Sequence, residues 1–132
     1  MILSVFVFAC VGIAFEVAFT AVTDVTDRRS IRLRGHSYLW MAPVYALVPV
    51  FLAALYPALH DAPLPARLAI YVTILYAVEY ASGWILRRLT GVCPWDYRDK
   101  GLNIHGLIRL DYAPFWALAC FLFEALFLAL RT

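Results

Sequence analysis

Four long apolar stretches constrain the fold of this chain more than any other feature of its sequence. They cover residues 2–22, 39–59, 68–86 and 112–130. A helix needs about 20 mostly apolar residues to cross the hydrocarbon core of a membrane. Each stretch meets or nearly meets that length, so the sequence predicts four membrane-spanning helices in a single transmembrane domain over residues 1–132.

The composition supports this interpretation. Of the 132 residues, 64% are hydrophobic and 15% are charged, whereas a soluble domain is about 45–50% apolar and about 25% charged. A chain of this length cannot bury so much apolar surface in one aqueous core. The predicted fold class is therefore all-α, an integral membrane four-helix bundle. The net charge of +2, without a basic patch interleaved with aromatic residues, argues against a nucleic-acid partner.

The distribution of basic residues predicts the orientation of the helices. The two loops over residues 23–38 and 87–111 together hold nine of the eleven Lys and Arg residues. The positive-inside rule places such loops in the cytoplasm, which leaves both termini outside. We therefore expect an integral, multi-pass protein of a bacterial inner membrane.

Three glutamates lie inside the predicted spans: Glu16, Glu79 and Glu124. An ionisable side chain in the hydrocarbon core is energetically costly and marks a candidate functional site. Glu16 and Glu79 each lie about two turns before the cytoplasmic end of their span, about 10 Å deep. The two carboxylates are thus predicted at matching depth, whereas Glu124 lies in the outer half of the fourth span.

Small and polar residues share the helix faces of the first two acids, which favours an orientation toward a neighbouring helix. Gly12 precedes Glu16 by one turn, and Ser82 follows Glu79 by nearly one turn. Two facing carboxylates share a proton, hold a cation or pair with a basic group such as Arg109. The structural alternative is that each acid is protonated, or is hydrogen-bonded to Tyr, Ser or Thr, and only fixes the helix register.

The connection over residues 87–111 is long for so small a protein, and long connections in compact folds are functional or disordered. Its apolar residues argue against disorder and predict a folded cap over the cytoplasmic mouth of the bundle. Six basic or histidine side chains of the two cytoplasmic loops are candidates for contact with an anionic headgroup phosphate: Arg34, Arg87, Arg88, Arg98, Lys100 and His105. The alternative is a purely structural cap with ordinary cytoplasmic charges.

The sequence predicts neither a metal site nor a cofactor. His36, His60 and His105 have no H-x-x-x-H or H-E-x-x-H spacing. A carboxylate–histidine metal site on the cytoplasmic side is a weaker alternative. The sequence also carries no Walker A motif, so it does not predict the energy-coupling ATPase of a transporter.

Several short motifs are similar to those of one known family. They are Glu79-Tyr80-Ala81-Ser82-Gly83-Trp84, Trp95-Asp96-Tyr97, Asn103-x-x-Gly106 with Leu110, Gly12-x-x-x-Glu16, Arg34-Gly35 and Pro43-Val44-Tyr45. Together they resemble the small membrane family called putative ABC-transporter type IV, or CmpB-like, over nearly the whole chain. The run Leu110-Asp111-Tyr112-Ala113-Pro114-x-Trp116 is similar to related small animal transmembrane proteins. The chain departs from the family pattern at Leu33, Arg98 and Leu107.

The resemblance implies a transport-related, permease-like component with a polar site under its cytoplasmic cap. Because four spans form a poor pore alone, the expected partners are membrane lipids and either a second copy, giving a dimer, or a partner membrane protein. One alternative is an intramembrane enzyme or binding protein that acts on a lipid or amphiphile, with Glu16 and Glu79 as an acid/base pair. Another is a structural or assembly factor. The candidate polar site comprises Glu16, Glu79, Tyr80, Ser82, Trp95, Asp96, Tyr97, Asn103, Gly106 and Arg109.

Overall fold

The computed structural model describes residues 2–28 and 31–131, with the side chains of all of these except 27, 28 and 131. Two basic positions of the first predicted cytoplasmic loop therefore fall outside the described residues, namely Arg29 and the side chain of Arg28. The two end residues of the predicted 1–132 domain also lie outside them.

Four α-helices lie within the described residues: α1 (Ile2–Arg28), α2 (Met41–Leu59), α3 (Leu64–Thr90) and α4 (Ala113–Arg131). All four are long and apolar enough to cross a membrane. They confirm the predicted set of membrane-length helices and the mainly α-helical class of an integral, multi-pass membrane protein. Packing of the four helices into one bundle stays a prediction.

Two helices are longer than the apolar stretches that predicted them. Helix α1 continues to Arg28, and α3 begins at Leu64 and continues to Thr90. Hydropathy marks the part of a helix that suits hydrocarbon, whereas the helical hydrogen bonds continue into the polar residues beyond it. Helix α3 ends at Gly91, whose φ of +81° and N–H bond to the Arg87 carbonyl form a left-handed cap.

The three prolines of α2 do not have equivalent positions. Pro43 lies in the first turn, where its missing N–H costs no helical hydrogen bond. Pro49 and Pro57 lie inside the helix, where each removes one hydrogen bond to the preceding turn.

The connection between α3 and α4 contains a small β-hairpin that the sequence did not predict. Strands β1 (Asn103–Ile104) and β2 (Ile108–Arg109) are antiparallel, with Asn103 opposite Arg109. A short 3-10 helix, Leu110–Tyr112, joins β2 to α4. Two-residue strands are too short to give a periodic hydrophobic signal, so the all-α prediction omitted them.

The chain divides into two compact units. The first holds residues up to Pro57 together with those from Leu126 onward, and the second is Ala58–Ala125. Each is described separately below.

Few residues of the spans are buried in protein. Only 11–28% of the residues in the most apolar window of each helix are buried, and Phe6 of α1 remains 66% exposed. A water-soluble fold would not leave such continuous apolar surface uncovered. The exposed helix faces therefore suit contact with lipid.

Candidate functional site

In the first unit, Glu16 of α1 is held by two hydroxyl groups. Its Oε2 atom accepts hydrogen bonds from Ser37 Oγ at 2.9 Å and from Tyr45 OH at 3.0 Å. Gly12, one turn earlier, makes room for the Tyr45 ring, because a Cβ atom there would lie 2.2 Å from the ring carbon Cγ. The hydroxyl partners are of the kind expected in the structural alternative for this acid.

The segment between α1 and α2 runs back against α1 beside this acid. Thr20 Oγ1 accepts from the His36 N–H and donates to the His36 carbonyl, both at 2.8 Å. Gly35 permits the close approach, because its Cβ would lie 2.1 Å from the Val17 carbonyl oxygen. Arg34, a predicted headgroup contact, is exposed on this segment.

In the second unit, Glu79 lies half-buried in α3, and Ser82 Oγ donates to its backbone carbonyl at 3.2 Å. Because Glu16 and Glu79 belong to different units, their predicted pairing stays a prediction. Arg109 donates from Nη2 to Asp111 at 2.7 Å and from Nη1 to Tyr112 OH at 2.9 Å. These bonds connect β2 to the short 3-10 helix that precedes α4.

The connection between α3 and α4 packs onto α3 through three residues, which we call the Trp95–Leu107 core: Gly83, Trp95 and Leu107. Trp95 is 6% exposed and Leu107 is fully buried, and Trp95 Nε1 donates to the Leu107 carbonyl at 2.9 Å. A Cβ on Gly83 would lie 2.9 Å from Leu107 Cδ2 and 3.0 Å from Trp95 Cζ2. The absence of a side chain at Gly83 therefore allows the connection to lie directly on the helix.

Polar contacts fix the remaining predicted residues of this connection. Arg98 donates to both carboxylate oxygens of Asp96, and these bonds lower the pKa of Asp96 to about 2. Asn103 Oδ1 accepts from the Gly106 N–H at 2.9 Å, and the Tyr97 N–H donates to the Gly106 carbonyl at 3.0 Å. Tyr97, Asn103 and Gly106 thus hold the hairpin through these bonds, and Arg98 is paired with Asp96.

A pocket of about 400 Å³ lies where the hairpin meets the last turns of α3. We call it the α3 pocket. Its lining combines aromatic, cationic and apolar side chains: Tyr80, Trp84, Arg87, Arg88, His105 and Leu107. The pocket therefore brings together three of the six predicted headgroup contacts, Arg87, Arg88 and His105, and also Tyr80 of the predicted polar site. Trp84 and Leu107 were not among the predicted site residues, although Trp84 ends the Glu79–Trp84 motif and closely precedes an arginine pair.

A buried ion pair in the second unit was also not predicted. Glu124 of α4 is 4% exposed, and its carboxylate accepts from Arg67 Nη2 at 2.6 Å and from Arg67 Nε at 3.1 Å. Arg67 Nη1 also donates to the Ala62 carbonyl at 2.8 Å. The available signal was that Arg67 lies outside both basic loops, on the side of the membrane toward which the outer half of the fourth span, with Glu124, is directed.

The described residues give no grouping suited to a metal ion: no three His, Cys, Asp or Glu side chains in residues 2–28 and 31–131 come together in that way. The carboxylates at Glu16 and Glu124 accept hydrogen bonds from hydroxyl and guanidinium groups, and Asp96 accepts them from the guanidinium and the backbone N–H of Arg98.

Comparison with known proteins gives one family. The model of the family described as "Putative ABC-transporter type IV" matches residues 3–130. No solved structure matches the chain.

Proposed function

The chain belongs to the family described as putative ABC-transporter type IV, and from that membership we propose that it is a transport-related, permease-like component of a membrane assembly. The family match over residues 3–130 carries the proposal. Four helices of membrane-spanning length and composition support it. A polar site under a cytoplasmic cap, formed by the connection between α3 and α4, is part of the same proposal.

The proposed setting is a bacterial inner membrane, with both basic loops in the cytoplasm and both termini outside. Positive charge near the ends of the spans supports this orientation. Arg87 and Arg88 lie in the last turn of α3, at the end that leads into the more basic connection. The opposite end of α3 follows a short connection that ends at Pro63, and Pro65 lies in the first turn of the helix.

A transport role requires more than one copy of this chain or a partner membrane protein, because four spans line a pathway poorly. We expect native mass spectrometry of the protein released from lipid nanodiscs to give a dimer or a complex with a second membrane protein. Cross-linking in intact membranes before extraction serves as the control for dissociation in detergent. A chain that remains monomeric without a partner in both measurements contradicts the proposal.

A second candidate function is binding or conversion of a lipid or amphiphile within the membrane. The α3 pocket favours it, because aromatic and cationic side chains there lie beside a membrane-length helix. In this function Glu16 and Glu79 act as an acid/base pair.

We expect Glu79→Gln, which keeps the shape of the side chain but cannot ionise, to lower the amount of co-purified lipid severalfold or to change its identity. Mass spectrometry of the extracted lipid measures both. Thr73→Val is the matched control, because Thr73 lies on the same helix with its hydroxyl bonded to the Ala69 carbonyl. Identical lipid content in the wild-type protein and the Glu79→Gln variant counts against the second candidate.

A further inference from the structure

We propose that the α3 pocket recognises a phosphate group, and that its ligand is the headgroup of an anionic membrane lipid. This inference rests on the second candidate function and names the chemical class of its ligand.

Both arginines of the pocket are held in place before any ligand arrives. Arg87 donates from Nη1 and Nη2 to the His105 carbonyl, each at 3.1 Å. A guanidinium carries five N–H donors, so these two bonds orient the group without exhausting it. The Arg88 Cζ atom lies 5.1 Å from the centre of the Trp84 ring, within the range of a cation–π contact. Oriented guanidinium groups match the geometry of phosphate oxygens.

The Tyr80–His105 pair adds a neutral donor. Tyr80 OH and His105 Nδ1 are 2.8 Å apart, so one hydrogen atom lies between them. The hydroxyl and a neutral imidazole together carry two such hydrogen atoms. In either tautomer one therefore remains to donate elsewhere, as His105 Nε2–H or as the Tyr80 O–H. A phosphate oxygen accepts this kind of donor.

The backbone at His105 has a positive φ angle, which is unusual for a residue other than glycine. The turn from Ile104 to Leu107 is closed by an N–H bond of 3.0 Å, and its two central residues have φ values of +53° at His105 and +69° at Gly106. Asn or Gly is the preferred residue at the first central position of such a turn. His105 at this position is bonded to Tyr80 and Arg87 of α3, and it lines the pocket together with the two arginines. Backbone strain of this kind is concentrated at functional sites.

The position of the pocket along α3 favours a lipid over a soluble anion. Twenty residues separate Arg67 from Arg87 on this helix, a rise of about 30 Å that equals the thickness of the hydrocarbon core. Arg87 and Arg88 therefore lie at headgroup level when Arg67 lies at the other interface. Trp84 and Ile85, one turn deeper, are 47% and 48% exposed and offer apolar surface to an acyl chain.

The test is a binding titration of the full chain in a non-ionic detergent, followed by native mass spectrometry. The probes are short-chain phosphatidylglycerol, short-chain phosphatidylcholine and inorganic phosphate. We expect phosphatidylglycerol to bind at least tenfold more tightly than phosphatidylcholine. Arg88→Ala is expected to weaken phosphatidylglycerol binding about tenfold, the effect of losing one charge-assisted hydrogen bond. The matched control is Arg98→Ala, because Arg98 is an arginine of the nearby connection that does not line the pocket and pairs with Asp96.

A second variant separates a loss of binding from a loss of folding. Arg87→Lys keeps the positive charge but cannot make the forked contact with His105, so we expect weaker binding. Alkylation of Cys93, a half-buried thiol in the connection between α3 and α4, checks folding and should be no faster than in the wild-type protein. Inorganic phosphate binding as tightly as phosphatidylglycerol supports phosphate recognition and assigns a soluble ligand. Unchanged binding in both variants, or an equal loss in Arg98→Ala, overturns the inference. The Glu79→Gln experiment changes a residue outside the pocket lining, whereas the arginine variants change the pocket itself. A failure of the phosphate site can therefore be distinguished from a failure of the second candidate function.

Discussion

Glu124→Ala is expected to lower the free energy of unfolding by about 3–5 kcal/mol, the cost of breaking a buried ion pair from one side. The variant leaves the Arg67 guanidinium without the carboxylate that lies 2.6 Å away at the closest approach. Both side chains are largely buried, with exposed fractions of 15% for Arg67 and 5% for Glu124. Little solvent is therefore available to replace the lost partner.

Unfolding in a mixed micelle of mild detergent and SDS, followed by circular dichroism, measures this effect. The double variant Arg67→Ala with Glu124→Ala is expected to be less destabilised than the sum of the two single variants, because it leaves no uncompensated charge. Asp61→Ala is the matched control, since Asp61 contacts His60 with a side chain that is 92% exposed. Equal stabilities for Glu124→Ala and Asp61→Ala contradict the assigned role.

Leu107→Ala has the second large expected effect, a destabilisation of about 2–5 kcal/mol, which is typical of truncating a buried leucine. Leu107 is fully buried, and its carbonyl accepts the Trp95 indole N–H. The substitution leaves a cavity above Gly83 and loosens the connection between α3 and α4. Leu102→Ala is the control, because Leu102 lies in the same connection and is 66% exposed.

The thiol of Cys93 reports on this loosening. Burial raises the pKa of Cys93 above its usual value, so little thiolate is present at neutral pH and alkylation is slow. In Leu107→Ala the thiol becomes more exposed, the thiolate fraction rises, and alkylation at Cys93 should accelerate severalfold, as read by peptide mass spectrometry. The Leu102→Ala variant should match the wild-type rate. If Leu107→Ala retains slow alkylation and wild-type stability, the Trp95–Leu107 core does not hold the connection.

The membrane-spanning helices could be predicted because a segment of about 20 consecutive apolar residues is stable in the bilayer as a spanning α-helix, which satisfies all of its backbone hydrogen bonds. Partnerships between distant side chains could not be predicted in the same way. Arg67 and Glu124 are 57 positions apart, and only the packing of α3 against α4 decides that they meet. Tyr45 was quoted as part of a motif, yet its bond to Glu16 depends on the space left by Gly12.

The connection between α3 and α4 was predicted as folded, but its hairpin was not. The turn contains His-Gly rather than the usual Asn-Gly, so its sequence gives a weak signal. Of the predicted headgroup contacts, Arg87, Arg88 and His105 line the pocket, whereas Arg98 pairs with Asp96. Charge alone does not separate these residues, because the difference arises from which neighbours the turn brings close.

The bonds around Glu16 constrain how the protein is made. Its carboxylate receives its donors from Ser37 and Tyr45, which lie 21 and 29 positions later in the chain. During synthesis α1 therefore leaves the ribosome before the residues that carry these two hydroxyl groups, and an acid without donors is costly in hydrocarbon. Helix α1 becomes stable as a membrane-spanning helix only once Ser37 and Tyr45 donate to Glu16, which requires α2 in the bilayer. We therefore expect α1 and α2 to be inserted into the membrane as a pair.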